Sequence, residues 1–385
     1  MLIFTLVGLS AQSTTPTAGD ATTRAVVAAR SFLASLNDTQ RSKAGNDYNS
    51  PKKAGWHNLP TTMAPRGGVT FSDLDETQRK LAMAVVQSVL SPYGYQKMLD
   101  IIAADDYFGA NMGAGFPTGP NSCLLAIYGA PSLTEPWMIQ LNAHHLGLNV
   151  TIVGKNNVMA PTLTGAYPNI YPKNGVTFHV LGTESNRASR LMLSLSGMQQ
   201  SQATITSVMG DFILGPGHDG QVVQPEGLKA SGMTSDQKNM LIDLAAAWVD
   251  ILNESAATQK MAEVRRDIND TYFAWSGEPT AGDGAYFRIQ GPTIWVEYAA
   301  QNSGLGSGNG GRGGGRGGSG GGRGPGGGSG GRGRGQGFGP QAGAPRGPEG
   351  PGRGPDGNIL PRDSNHIHTV YRDFTNDYAA RFAGN

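Results

Sequence analysis

The chain has 385 residues, a formal net charge of +1, 38% apolar residues, 58 glycines and a single cysteine. That length allows a large core or two domains, and a lone Cys123 excludes an intramolecular disulfide or a CxxC-type zinc site. Of the glycines, 29 lie between Gln301 and Gly357, where seven arginines oppose Glu349 and Asp356. The remainder carries about −4, which argues against a nucleic-acid-binding body.

In chain order, residues 1–12 (MLIFTLVGLSAQ) form a short apolar run followed by small residues. They read as a signal peptide cleaved after Ala11, although no basic residue precedes Arg24. The expected location is secreted or periplasmic, and no later run approaches the roughly 20 apolar residues of a membrane span. A helix is predicted over 24–44, where Ala25, Val26, Ala29, Phe32, Leu33 and Leu36 recur at helical spacing. A second is predicted over 73–90, after a capping signal at Ser72 and Asp75, and a third over 95–104. Strands follow at 123–129, 137–143 and 146–153.

The plan then starts again. Helices are predicted at 185–203, at 234–249 behind Thr234 and Gln237, and at 256–270. Strands follow at 285–290, 293–299 and 366–372. FLASLNDTQRSKA (32–44) aligns without gaps to LMLSLSGMQQSQA (191–203), and GVTFSDLDETQRK (68–80) to GLKASGMTSDQKN (227–239), both at an offset of 159. Two separated blocks at one offset predict an internal duplication. The expected architecture is α+β: helix-helix-strand repeats with antiparallel strands rather than βαβ units. The first repeat is placed at 20–182 and the second at 183–301, completed by a C-terminal strand within 358–385.

Residues 302–357 are too poor in apolar side chains to fold and are expected to be a disordered Gly/Arg-rich insertion in a surface hairpin loop. Its GxGxxG matches follow no strand and open no helix, so no nucleotide cofactor is expected. RGG-like repeats bind single-stranded nucleic acid in some proteins, but here Phe338 alone is available to stack on bases.

Four of the seven histidines fall in two tight pairs, His144-His145 and His366-x-His368. Imidazole is the commonest side-chain metal ligand. Along 137–143 the apolar residues are odd-numbered, and after Leu146 they are even-numbered, so the strand must bulge or turn at His145. His366 and His368 share a face because alternate strand residues do. The four are therefore candidate ligands of one divalent transition metal (Zn, Cu or Fe); a metal-free polar pocket and ordinary structural histidines are the competing readings.

Glu297, in an apolar strand, is costly to bury alone and is expected to face a cation, a histidine or Arg288; these two are the candidate catalytic residues. Glu184 reads as an electrostatic aid to the helix that follows it. Arg372, Asp373 and Asp377 read as support for the ligands or as an ordinary salt bridge. His57, His179 and His218 belong to no pattern, and no GxSxG, HExxH or P-loop motif is present.

Several motifs together resemble the domain of unknown function 3500 family. They are W-x-x-Q-x-x-x-H-H-L-x-L-N (Trp137 to Asn149), APTLTGAYP (160–168), an E-x-x-x-A-x-x-L helix (Glu184, Ala188, Leu191), YFRIQGPTIWVEY and HIHTVYRDFTNDYA. The resemblance covers roughly 24–380 apart from the glycine run. Ala143 and Ala379 stand where glycines are expected. It implies a secreted bacterial or fungal protein with no established activity. Three functions remain open: a metal-dependent hydrolase or oxidoreductase acting on a small molecule or polymer, a non-catalytic extracellular ligand-binding protein, and a surface-interaction protein working through its Gly/Arg tail.

Overall fold

The computed structural model describes residues 18–205, 211–277, 286–302 and 362–383. The expected signal peptide and the glycine-rich run beyond Asn302 lie outside them. The helices are α1 (Ala18–Ser35), α2 (Asp38–Ala44), α3 (Glu76–Val89), α4 (Pro92–Met112), α5 (Gly182–Ser194), α6 (Gly197–Ala203), α7 (Ser235–Val249), α8 (Glu254–Arg266) and α9 (Ala380–Ala383). The first-half strands are β1 (Gly45–Asn46), β2 (Val69–Thr70), β3 (Leu124–Tyr128), β4 (Trp137–Ala143), β5 (Leu146–Val153), β6 (Asn156–Val158), β7 (Thr162–Ala166), β8 (Ile170–Lys173) and β9 (Val176–His179). The remainder are β10 (Leu228–Lys229), β11 (Tyr272–Ser276), β12 (Tyr286–Gln290), β13 (Trp295–Asn302) and β14 (Arg362–Arg372).

The stripe predicted as one helix over 24–44 is two helices. α1 ends at Ser35, and Asn37 begins α2 with a capping box: its side chain accepts from the Gln40 N–H, while the Gln40 side chain accepts from the Asn37 N–H. The stripe at 185–203 breaks in the same way, with Ser196 and Gln199 boxing α6. Helix α3 is capped by Asp75 with Gln78 rather than by Ser72, one turn later than the sequence reading, which puts it in line with Thr234 and Gln237 at α7.

Buried glutamine pairs tie these helices together. Gln40 donates to Gln78 at 3.0 Å and Gln78 to the Ser35 carbonyl at 2.8 Å; Gln199 donates to Gln237 at 3.0 Å and Gln237 to the Ser194 carbonyl at 2.9 Å.

One sheet dominates, in the order β1-β3-β4-β5-β7-β14-β13-β12-β11-β10, with β2 on β3 and β6 on β5; β8 and β9 form a separate hairpin. Its pairings are antiparallel except β1 on β3. The fold is mixed α+β, as expected. At the middle of the sheet β7 pairs with β14, and the hydroxyls of Thr164 and Thr369 meet at 2.7 Å. Below that seam the Ser91 N–H reaches the Ile251 carbonyl and the Asn253 N–H the Val89 carbonyl, both at 3.0 Å.

The strict alternation along the strands divides the sheet into two unlike faces. Ile139, Leu141, Leu148, Val150, Phe287, Ile289, Val296, Tyr298, Ile367 and Tyr371 join the main core with the helices. The opposite face is polar and buried: Gln140, Asn142, Asn149, Arg288, Glu297, His368 and Arg372. It is roofed by the long loops after β1 and α6, whose Trp56 and Leu214 form a small cluster with Leu163, Trp295 and Val370. A polar face under loops rather than helices is where a fold of this kind has room for a site.

Glu184 does more than favour its helix. It is fully buried in the first turn of α5 and pairs with Lys97 of α4 at 2.6 Å, one charge compensating the other inside the helical layer.

Strands β13 and β14 are antiparallel neighbours, so the Gly/Arg-rich run joins two paired strands. Because loop length enters stability only logarithmically, deleting 304–355 is expected to leave the thermal midpoint within about 5 °C. A scanning calorimeter would show the opposite, a lost cooperative transition, if that run were needed for folding.

Candidate metal centre

The face change at His145 is a turn. Ala143 pairs with Leu146, so His144 and His145 form a two-residue hairpin loop between β4 and β5, and His145 sits at φ 61°. A side chain in that left-handed region costs about 1 kcal/mol. The turn is held in place: the His145 N–H donates to the Asn58 carbonyl at 3.2 Å. Its neighbour must be glycine, because a Cβ on Gly165 would lie 2.7 Å from the Ile367 oxygen and 3.3 Å from His145.

Strand β14 runs beside β7, with His368 opposite Gly165. That register carries His366 and His368 to the hairpin. The His145 Nε2 lies 2.9 Å from the His366 Nε2, which lies 3.1 Å from the His368 Nε2. One ligand nitrogen from each falls within 4.8 Å of the others. His145 and His368 are buried and His366 is half-buried.

Each imidazole nitrogen has one in-plane position, filled by a proton or a lone pair. The His366 nitrogen therefore cannot hydrogen-bond to both neighbours, and a cation facing three lone pairs satisfies all of them. A tetrahedral ion with bonds of about 2.0–2.1 Å sets its nitrogens roughly 3.3 Å apart, close to the spacing seen.

Electrostatics favour the lone-pair form. Burial, then the neighbouring His368 and His144, push His366 down to about 2. His145 is held well below its ordinary value by burial and the same imidazoles. At neutral pH both rings are neutral, and each has one nitrogen free to take a cation.

Carboxylates orient two of the rings. His144 does not join the trio; its Nδ1 meets Asp105 at 2.6 Å, and Asp105 also accepts the Gly119 N–H at 2.8 Å. The His144 ring lies 3.8 Å from that of His145. The Nδ1 of His368 lies 3.2 Å from Asp211, with the Asn58 amide nitrogen 3.0 Å from the same atom. A proton on Nδ1 satisfies the carboxylate, the stronger partner, and leaves Nε2 as the ligating atom. His145 Nδ1 is buried without a hydrogen-bond partner among the described residues. Around the trio stand Tyr167, 4.7 Å from His366 between ring centres, Phe212, 5.8 Å from His368, and Phe116, 5.1 Å from His144.

The remaining sequence candidates are placed elsewhere on the polar face. Glu297 meets neither a histidine nor an arginine. One carboxylate oxygen accepts the Ile213 N–H at 2.7 Å and the Tyr286 hydroxyl at 2.7 Å; the other accepts the Leu214 N–H at 2.9 Å and the Trp295 indole at 2.8 Å. Burial raises its pKa, and the four donors pull it back only in part. Arg288, its register partner, turns to Glu226 at 3.0 Å and lies over the Trp295 ring.

Arg372 is fully buried, donating to the Leu214 carbonyl at 2.8 Å and pairing with Asp377 at 2.9 Å and Asp219 at 2.5 Å. Asp373 pairs with Lys260 at 2.6 Å. Ala379 sits at φ 59°, which explains why glycine suits that position and shows that the alanine carries backbone strain.

Asp105, Asp211 and Asn58 escaped the sequence reading. Asp211 is 157 residues from His368 and Asn58 is 310, and neither lies in a motif. His57, next to Asn58, is pushed down to about 4 by burial and Arg66. Among the described residues no helix is long and apolar enough to cross a membrane. No curated protein and no solved structure matches the chain. The model of the family described as Protein of unknown function (DUF3500) matches residues 18–380, and the chain belongs to that family.

Proposed function

We propose that His145, His366 and His368 hold one divalent transition metal through their Nε2 atoms, and that the protein is a metal-dependent hydrolase. The observation that carries this is the convergence of three ring nitrogens at 2.9 and 3.1 Å, two of them on imidazoles kept neutral. Zinc suits the donor set best: among the described residues the trio is made of imidazoles alone, the ligand set of a zinc site that keeps one position open, whereas the non-haem iron and blue-copper sets add a carboxylate or a thiolate. Three neutral ligands leave the ion its full charge, and a water bound to it would ionise near neutral pH.

The protein supplies orientation. Asp211 holds His368, Asp105 holds His144 beside His145, and the half-buried His366 marks the side open to substrate. The substrate is a small molecule or a polymer end that fits among Tyr167, Phe212 and Phe116. The halves descend from a duplication, supported by capping boxes and glutamine pairs that recur at an offset of 159. The protein works outside the cytoplasm, supported by the apolar N-terminal run.

Elemental analysis of gently purified protein, followed by zinc titration of the chelator-treated form, tests the proposal. One equivalent of zinc bound tightly, with ester or amide hydrolysis that disappears with chelator and returns with zinc, is the expected result. Protein that takes up none of zinc, copper or iron would leave hydrogen-bonded strand histidines as the better account.

A further inference from the structure

We propose that Glu297 is a positioning residue of the metal centre, acting through Asp211 on His368; this rests on the metal reading above. The geometry runs through strand β13. Ala299 is the register partner of His368. Two residues to either side, β13 sends up Glu297 and Gln301. Gln301 donates to the Asp211 carboxylate at 3.0 Å. Glu297 takes the consecutive N–H groups of Ile213 and Leu214, two and three residues beyond Asp211. One strand thus grips the loop at its acidic side chain and at its backbone. That strand is paired with the one carrying His368 through Ala300, opposite Ile367, and the register shifts at Gln301, so Glu297 lies on the regular part of the ladder that holds the imidazole and Gln301 just beyond it.

Only a carboxylate fits this role. Each of its oxygens accepts two hydrogen bonds, one from the loop and one from the sheet: Ile213 with Tyr286, and Leu214 with Trp295. A glutamine would turn an amide N–H against one of those pairs of donors, and the loop would lose one of its two tethers. Phe212, between Asp211 and the tethered residues, already packs its ring on His368 at 5.8 Å, so a shift of this loop reaches the imidazole directly. Outer partners of ligating histidines typically change metal affinity by about 10–100-fold.

The test is a double-mutant cycle read as zinc affinity, by competition with a chromophoric chelator on the full chain. Glu297→Gln and Asp211→Ala should each weaken binding by about 10–100-fold, and the double variant should be no weaker than Asp211→Ala alone. In metal-free protein, 15N-edited NMR of the His368 ring should show a single Nδ1–H tautomer in the wild type and a mixture in Glu297→Gln. Should that variant fail to fold, Tyr286→Phe, which removes one donor and keeps the carboxylate, is expected to give a smaller loss that also vanishes in the Asp211→Ala background. Wild-type affinity in Glu297→Gln, or losses that add fully in the double variant, would overturn the proposal, since a merely stabilising glutamate would act independently of Asp211. If the wild type binds no zinc, the reading of the centre falls. The tautomer measurement then decides alone whether Glu297 acts on His368, an unchanged ring in Glu297→Gln overturning it.

Discussion

Replacing His366 and His368 together with alanine is expected to abolish stoichiometric zinc binding while the chain still unfolds cooperatively. Two of three bonds to the ion disappear, and ions held by complete sites of this sort contribute on the order of 10 kcal/mol. A loss of at least about a thousandfold in affinity follows. The fold should tolerate the change. His366 is half-buried, and the Asp211 carboxylate left behind is about a third exposed and keeps its bond from Gln301. No unpaired charge is therefore trapped in the interior, which is the usual reason such truncations are severe. His144→Gln is the contrasting variant: its amide can still donate to the buried Asp105 and it removes no member of the trio, so zinc should still bind. Chelator competition with metal analysis of both variants separates the cases. Equal loss in both would mean that the ion sits among all four histidines.

The contrast between His144 and His145 shows where sequence reasoning stops. Strand phase demanded a change of face at this point, and the hairpin supplies it. Whether adjacent histidines point together or apart, however, depends on turn dihedrals that the pattern does not encode. His366 and His368 were simpler, because a strand fixes their common face without tertiary help. Glu297 was legible as an anomaly, a carboxylate among apolar residues, but its partners were not: two are backbone N–H groups of a loop more than 80 residues away. Backbone donors leave no trace in side-chain patterns.

Helix breaks at Asn37 and Ser196 were missed for a different reason. The apolar stripe runs on through Leu36 and Leu195, both buried in the same core, so periodicity alone sees one helix where capping makes two. Asp211 had no local signal, since what gives it meaning is its contact with His368, 157 residues away.

Acid is expected to destabilise the metal-free protein through its buried histidines, from about pH 6.5 downward. Folded His366 has its pKa pushed down to about 2, against an ordinary value of 6.5. Below 6.5 the unfolded chain binds a proton that the folded chain refuses, so stability is complete above that pH and declines as pH falls toward 2. The slope is about 1.4 kcal/mol per pH unit for each such group, so His366 alone removes on the order of 3 kcal/mol by pH 4. His145 acts in the same direction, and so does His57, which burial and Arg66 lower to about 4. Asp377 opposes them: burial raises it to about 6 despite Arg372, so it takes up a proton more readily folded than unfolded and adds stability as pH falls from 6 toward 3.8. Urea midpoints measured between pH 7 and 4 on wild type and His366→Gln cancel Asp377 and His57 from the comparison. The variant should lose markedly less stability over that interval. Bound zinc should steepen the wild-type decline further, because protons compete with the ion for the same nitrogens. Parallel pH profiles for the two proteins would show that His366 is free to take up a proton in the folded state, and the argument for imidazoles kept neutral by their surroundings would fail with it.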